Sequence, residues 1–272
     1  MILSLYRALE ILGTPLILAY LYRRISIGKE DAARFKERFG VSKKSRPNGK
    51  LIWFHAASVG ESLSLLPIIE RVRLEHPQFV LLITTGTITS GGIMKDRLPE
   101  GVIHQYVPLD KKSYVRRFLA YWKPSLVLWA ESEFWPNLVL ETARYGISLI
   151  LIQGRISLVT FRRWQWLSSL ISELLSKFEL CLAQSKADGK RLSLLGASNV
   201  KSEGNLKLAT APLPINQTLL SEFCHEVGSR PAWLAASTHD LEEQIVWQVH
   251  KKVEREVPSL LTIIVPRHSE RG

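Results

Sequence analysis

Cysteine is almost missing from this chain: Cys181 and Cys224 are the only two in 272 residues. They lie far apart and outside any metal-ligand spacing, so neither a disulfide framework nor a zinc site is supported, and a reducing compartment fits. The glycine-rich signatures of common nucleotide sites are also absent. There is no G-x-G-x-x-G and no G-x-x-x-x-G-K-[ST], which disfavours dinucleotide and P-loop phosphate binding, and no hydrolytic G-x-S-x-G elbow. Acidic residues are in deficit, 25 against 36 Lys and Arg, leaving a net charge of +11. What is present is 46% apolar residues and eight tryptophans, enough for a substantial core. Disorder, collagen and low complexity are thereby excluded, and the length allows one large domain or two smaller ones.

Most of the charge excess sits at one end. Residues 1–50 hold 11 basic and 4 acidic side chains, a balance of +7. The basic stretch, with Arg23, Arg24, Lys29, Arg34, Lys36 and Arg38, follows an apolar segment from Met1 to Tyr22. Within it the uncharged run Ile11–Tyr22 is 12 residues, short of the roughly 20 that span a bilayer. An interfacial or signal-anchor helix is expected, with the basic flank holding the following domain on the cytoplasmic side against anionic lipid. The competing reading is a helix packed on its own domain.

After a polar linker at residues 42–50, short apolar runs alternate with amphipathic stretches. Strands are expected at Leu51–Phe54, Val80–Ile83, Val102–Tyr106, Leu126–Trp129, Ser148–Ile152, Leu180–Ala183 and Val200–Glu203. Helical spacing recurs at Glu61–Leu74, Tyr114–Trp122, Pro136–Tyr145, Trp164–Phe178 and Lys186–Leu195. The alternation predicts a doubly wound parallel α/β domain. A Pro-containing linker at 209–214 interrupts it. The pattern then restarts with helix Leu219–Val227, strand Trp233–Ala236, helix Leu241–Glu256 and strand Leu260–Val265, the expected beginning of a second α/β domain cut at Gly272.

Open α/β sheets bind ligands beyond the carboxyl ends of their strands, and there the polar residues gather. His55-Ala-Ala-Ser-Val-Gly-Glu61 follows the first strand, Thr84–Thr87 the second and Glu131-Ser-Glu133 the fourth; Gln153-Gly-Arg155 and Gly204-Asn-Leu-Lys207 close two more. Carboxylates, cations and hydroxyls converging on one crevice suit a polar anionic substrate and a group transfer. Each residue has a plainer explanation. Glu61 complements a helix dipole, Thr84–Thr87 form a turn, Arg155 and Lys207 are surface cations, and His55 is a core or supporting histidine.

Five ordered motifs then carry a resemblance: His55–Glu61, Glu131-Ser-Glu-Phe-Trp-Pro-Asn137, Gly204-Asn-Leu-Lys207, Ser237-Thr-His239 with Glu242-Glu243, and Pro266-Arg-His268. In that order the chain resembles the 3-deoxy-D-manno-octulosonic acid (Kdo) transferase family. The resemblance implies a GT-B architecture of two Rossmann-like domains, with residues 1–24 as anchor helix, 25–210 as acceptor-binding domain and 211–272 as the start of a CMP-sugar-binding domain. It implies inverting transfer of Kdo from CMP-Kdo to the lipid A precursor, lipid IVA, at the cytoplasmic face of the inner membrane. Neither metal nor other cofactor enters that reaction, and nucleic acid is not a partner. By the same resemblance Glu61 is the general base, Glu131 and Lys207 stabilise the transition state, and Pro266 and Arg267 contact CMP, with Arg155 and His239 secondary.

The chain departs from the family at Gln153-Gly154-Arg155, where Asn-Ala-Arg is usual, and at Lys207-Leu208-Ala209, where Lys-Phe-Asp is common. Asp240-Leu241 stands where a glycine is common before the glutamate pair, and the Gly-Gly-His-Asn-Pro-Leu-Glu stretch is not within the 272 residues. Weak CMP-Kdo binding and little transfer are therefore expected of these residues alone. The alternatives are a non-catalytic membrane-surface remnant that docks lipid, a different GT-B glycosyltransferase, or a nucleic-acid module driven by charge; the last lacks any nucleic-acid motif.

Overall fold

Seven of the apolar runs form one parallel sheet in a computed structural model that describes residues 2–206 and 215–267. The strands are β1 (Leu51–Ala56), β2 (Val80–Thr85), β3 (Ile103–Tyr106), β4 (Leu126–Ala130), β5 (Ser148–Gly154), β6 (Leu180–Ala183) and β7 (Val200–Ser202), in spatial order β3-β2-β1-β4-β5-β6-β7. The chain divides into two compact units, Met1–Ala211 and Pro212–Gly272.

Side chains alternate across the pleat, and both faces of the sheet are covered, as a parallel sheet requires. Trp53 and Trp129 join Phe118 and Trp122 in one core cluster; Phe54, Leu81 and Ile83 join Leu65 and Ile69 in the other. Each such tryptophan removes on the order of 200 Å² from water, about 5 kcal/mol of gross burial. The first cluster packs under α4 (Lys112–Trp122), α5 (Pro136–Arg144) and α7 (Ser168–Leu175), and the second under α2 (Val59–Glu75) and α3 (Ile88–Arg97).

Two elements differ from the pattern read in the sequence. The single helix expected at Trp164–Phe178 is two, α6 (Leu158–Gln165) and α7, with the break at Trp166 and Leu167. Helix α3 has no strong sequence signal, because Gly91 and Gly92 lower its helix propensity. Gly91 is there for packing: a Cβ would stand 2.4 Å from the Tyr106 hydroxyl. The Thr87 side chain caps α3 by accepting from the Ser90 amide. Helix α8 (Lys186–Leu194) completes the crossover between β6 and β7.

Helix α1 runs from Ile2 to Ser26 straight through Pro15, and it is long and apolar enough by length and composition to cross a membrane. Its polar side is engaged by the domain. The Tyr6 hydroxyl donates to Asp110, Arg7 to Asn137, Lys111 to Thr14, and the Asn137 amide to Glu10. Asp110 in turn accepts from the Asn137 and Leu138 backbone amides and so caps α5. Farther along, Leu21 is buried, Tyr22 packs on Phe35 at 5.4 Å and Arg24 reaches Glu30. The reading of a helix packed on its own domain thus describes its polar side.

Half of the basic flank is engaged by the domain: Arg24, Arg34 and Arg38 pair with carboxylates, while Arg23, Lys29 and Lys36 stay exposed. Arg38 is buried on Glu30 at 2.7 Å and donates to the Val107 and Gly86 carbonyls; Arg34 pairs with Glu37 and meets His104. A buried guanidinium needs such partners, because taking an unpaired charge out of water costs several kcal/mol.

The second unit holds α9 (Gln217–Val227), α10 (Glu242–Val253) and the parallel pair β8 (Ala232–Thr238) and β9 (Leu261–Pro266). Its apolar side chains stay largely accessible, with Phe223, Leu234, Ile245 and Trp247 all exposed.

Candidate active site

The strand order reverses between β1 and β4, and a doubly wound sheet opens a ligand crevice at such a switch point. The segment after β1 supplies Glu61 and the segment after β4 supplies Glu131 and Glu133, so the two acidic motifs flank that crevice.

Glu61 stands in the first turn of α2 and is only 5% exposed. Its carboxylate accepts from the Ala57 amide at 2.7 Å and from the Ser58 hydroxyl at 2.8 Å, while Ser58 Oγ accepts from the Glu61 amide at 3.4 Å. This is a capping box, so the plainer reading of Glu61 is correct as far as it goes. Each carboxylate oxygen still has a second lone pair for a ligand. Burial raises the Glu61 carboxyl above its usual range; the Ala57 and Ser58 bonds oppose the shift, and the charges of Glu131 and Glu133 add to it. Glu133 is raised in turn by desolvation and by Glu131. Burial and mutual charge thus oppose ionisation of Glu61 and Glu133, an arrangement typical of functional carboxylates.

The backbone around this crevice is unusual. Glu131 and Gln153, at the ends of neighbouring strands, both adopt left-handed conformations, φ 55° and 56°, and the Glu131 amide donates to the Ile152 carbonyl. Such conformations are uncommon for non-glycine residues and cluster at functional sites. Gln153 is buried and donates to Asn205 at 3.2 Å, which brings the Gly204-Asn205 motif to the end of β5. Both line a recess of about 390 Å³ with Glu203 and Ile68. Lys207 and His268 lie outside the described residues. Arg155 follows β5 with an exposed side chain.

Several nearby residues prove to be supports. His55 is fully buried, 4.3 Å from the Trp129 ring, and burial depresses its pKa to about 3. Thr84 accepts from the Trp53 indole at 2.8 Å and is hydrogen-bonded to His55 Nδ1 at 2.9 Å. Thr85 bonds His104, and Thr87 caps α3, so the threonine run is structural. Gly86 lets the turns after β1 and β2 touch: a Cβ there would meet the Ala57 carbonyl at 2.7 Å. Of the Glu131–Asn137 motif, Phe134 is core, Pro136 opens α5 and Asn137 ties α5 to Asp110 and α1. Asp110 and its partners went unread in the sequence, since nothing local links residues 6, 10, 110 and 137.

In the second unit the Ser237–His239 and Pro266–Arg267 motifs meet at the carboxyl ends of β8 and β9. Thr238 pairs with Pro266 in register, and the Arg267 amide donates to the Thr238 carbonyl. Thr238 donates to Glu243 and the His239 amide to Glu242; the His239 and Arg267 side chains are exposed. Among the described residues, no group of three or more His, Cys, Asp or Glu side chains gathers as metal ligands would.

Residues 33–210 match the family described as 3-deoxy-D-manno-octulosonic-acid transferase (kdotransferase). The chain is 35% identical over 269 residues to the 3-deoxy-D-manno-octulosonic acid transferase of Rickettsia bellii, covering 99% of this chain and 64% of that protein. It is 36% identical over 275 residues to the probable mitochondrial 3-deoxy-D-manno-octulosonic acid transferase of Arabidopsis thaliana, covering 98% of this chain and 62% of that one. It thus spans less than two thirds of the length of either relative. Among solved structures, a putative UDP-N-acetylglucosamine 2-epimerase from Listeria monocytogenes is similar with a TM-score of 0.57 at 11% identity, covering 80% of this chain and 62% of that one. A UDP-GlcNAc 2-epimerase from Neisseria meningitidis gives a TM-score of 0.56 at 12% identity, covering 79% and 64%. These likenesses bear on fold alone, and the α/β fold is of the GT-B type.

Proposed function

The chain belongs to the 3-deoxy-D-manno-octulosonic-acid transferase family, and from that premise we propose that it serves an inverting transfer of Kdo from CMP-Kdo to lipid IVA in lipopolysaccharide biosynthesis, at the cytoplasmic face of the inner membrane. Residues 25–210 are the acceptor domain in this reading, and residues 211–272 belong to the CMP-sugar-binding domain. The reaction needs a base for the acceptor hydroxyl. As the hydroxyl oxygen forms its bond to the anomeric carbon of Kdo, the proton passes to Glu61, the bond from that carbon to the CMP phosphate oxygen breaks, and CMP departs.

The observation that carries the proposal is the buried, doubly held Glu61 carboxyl, raised by burial and by Glu131 and Glu133 at the switch point of the sheet. A raised carboxyl is a stronger base once ionised and is poised nearer the working pH. Glu131, in its left-handed conformation at the same crevice, is assigned to transition-state stabilisation, and Lys207 to the same task on the resemblance alone. Arg267, exposed at the end of β9, is assigned to the CMP phosphate, which a guanidinium fork suits, with Pro266 beside it. His239 and Arg155 are secondary contacts. Transfer from CMP-Kdo to lipid IVA by the full-length enzyme, wild type against Glu61→Gln, tests the assignment: loss of transfer with an unchanged fold supports it, and retained transfer overturns it.

A further inference from the structure

Arg38 and Glu30 form an ion pair in which each residue is only 6% exposed. Exchanging such a buried pair for apolar side chains is often neutral or stabilising, so stability alone gives no reason for the two charges to be there. What the guanidinium holds is more specific. Its Nε donates to one Glu30 oxygen at 2.7 Å, and the other Glu30 oxygen takes Arg24, which keeps the Arg38 fork oriented. Its terminal nitrogens donate to the Val107 carbonyl at 3.1 Å and the Gly86 carbonyl at 2.7 Å, the first residues beyond β3 and β2. The same guanidinium sits over the Tyr106 ring, 5.1 Å from its centroid.

From Gly86 the contacts run on to Glu61. The Gly86 amide donates to the Ala57 carbonyl at 3.2 Å, and the Ala57 amide donates to the Glu61 carboxylate at 2.7 Å. The Ser58 hydroxyl, next in the same turn, holds the other Glu61 oxygen. The middle link has no slack, because a Cβ on Gly86 would stand 2.7 Å from the Ala57 carbonyl oxygen. A rigid planar fork fixes such a separation where a lysine, a point charge on a flexible stem, does not.

We propose that Arg38, oriented by Glu30, is a positioning residue for the transfer reaction: it sets the turn after β2 against the turn after β1 and thereby holds the Glu61 carboxylate at the crevice. Its consequence for transfer rests on the reading of Glu61 as the base; its effect on the carboxylate rests on the geometry alone. The charged groups that face Glu61 are Glu131 and Glu133, and Arg38 is not among them. Its influence therefore passes through the two touching turns and not through its charge.

Carboxyl-carbon NMR of the 272-residue chain, with the Glu61 signal assigned by its loss in Glu61→Gln, reads the carboxylate without any transfer assay. Arg38→Lys keeps a cation for Glu30 and gives up the fork, whereas Gly86→Ala keeps the fork and pushes the Ala57 turn away. The Ala57 amide and the Ser58 hydroxyl favour the ionised form of Glu61. Loosening either link should therefore raise its titration midpoint by about one pH unit, the low end of what a hydrogen bond to a carboxylate contributes. Because the links act in series, the double variant should move the midpoint no further than Gly86→Ala alone. In the full-length enzyme the acid limb of the kcat/KM profile should shift upward by the same amount. Gly196→Ala, which crowds Ser172 outside this chain of contacts, should leave both readouts unmoved. A midpoint unchanged in both single variants, a shift equalled by Gly196→Ala, or additive shifts in the double variant overturns the positioning role. A midpoint that moves while transfer survives Glu61→Gln keeps the positioning role and overturns the reading of Glu61 as the base.

Discussion

Replacing Glu61 separates its structural role from its chemical one, because the two respond to different substitutions. Glutamine keeps an acceptor for the Ala57 amide and a partner for the Ser58 hydroxyl, and it is an accepted capping-box residue. Alanine removes both. Each bond to a carboxylate contributes about 1.5–3 kcal/mol, part of which is offset by the burial cost and by repulsion from Glu131 and Glu133. A net loss of about 2–3 kcal/mol is expected for Glu61→Ala, about 5–10 °C in Tm for a domain of this size. For Glu61→Gln the sign reverses at neutral pH. Because the carboxyl is raised in the folded state, the fold prefers its protonated form, and ionisation above that pKa costs stability. The glutamine variant should therefore melt at or slightly above wild type near pH 7, the advantage vanishing as acid protonates the wild-type carboxyl. Transfer should fall by about 10²–10⁴ in both variants, the range for a general base. Calorimetry across pH, paired with a CMP-Kdo transfer assay, reads both effects. A glutamine variant that melts several degrees below wild type refutes the electrostatic account, and one that keeps more than a tenth of the activity refutes the base.

Glu30→Gln should cost about 3–5 kcal/mol, the penalty for stranding the buried Arg38 guanidinium; urea unfolding measures it, and a loss under 1 kcal/mol contradicts the burial of the pair. Gly91→Ala should cost about 1–3 kcal/mol by overpacking against Tyr106. Part of that should return in the Gly91→Ala, Tyr106→Phe double variant, and strict additivity in the cycle argues against the clash. His55 and His104, both depressed to about 3 chiefly by burial, favour a fold in which they are neutral. Their contribution is complete above the ordinary histidine pKa and should fall by roughly 1.4 kcal/mol per pH unit for each between pH 6.5 and 3. NMR of the two imidazoles should show no titration above pH 4; a midpoint near 6 for either one refutes its burial.

Local pattern was enough to read the sheet. Each of the seven runs in the first unit that alternated with helical spacing is a strand, because parallel strands buried on both faces are apolar along their length, and that is visible in a window of a few residues. Glu61 at a helix start and Pro136 opening a helix were legible for the same reason, whereas the Ser58 cap appears only in the fold. Helix α3 was not, since Gly91 answers to Tyr106 from another strand at a cost in local propensity. Likewise the direction of the basic flank is decided by Glu30 and Glu37, whose pairing with arginines no composition count reveals.

The sequence by itself determined the doubly wound class, the positions of the acidic turns at strand ends and the apolar character of α1, all properties of short stretches of chain. Tertiary structure alone decided that β1 and β4 are neighbours, so that Glu61 shares its field with Glu131 and Glu133. It also decided which side of α1 meets the domain, because Tyr6, Glu10, Asp110 and Asn137 find one another only across separations of 27 to 127 residues. Contacts over such distances depend on how the whole chain folds back on itself, and that information is spread over the core and absent from any one motif.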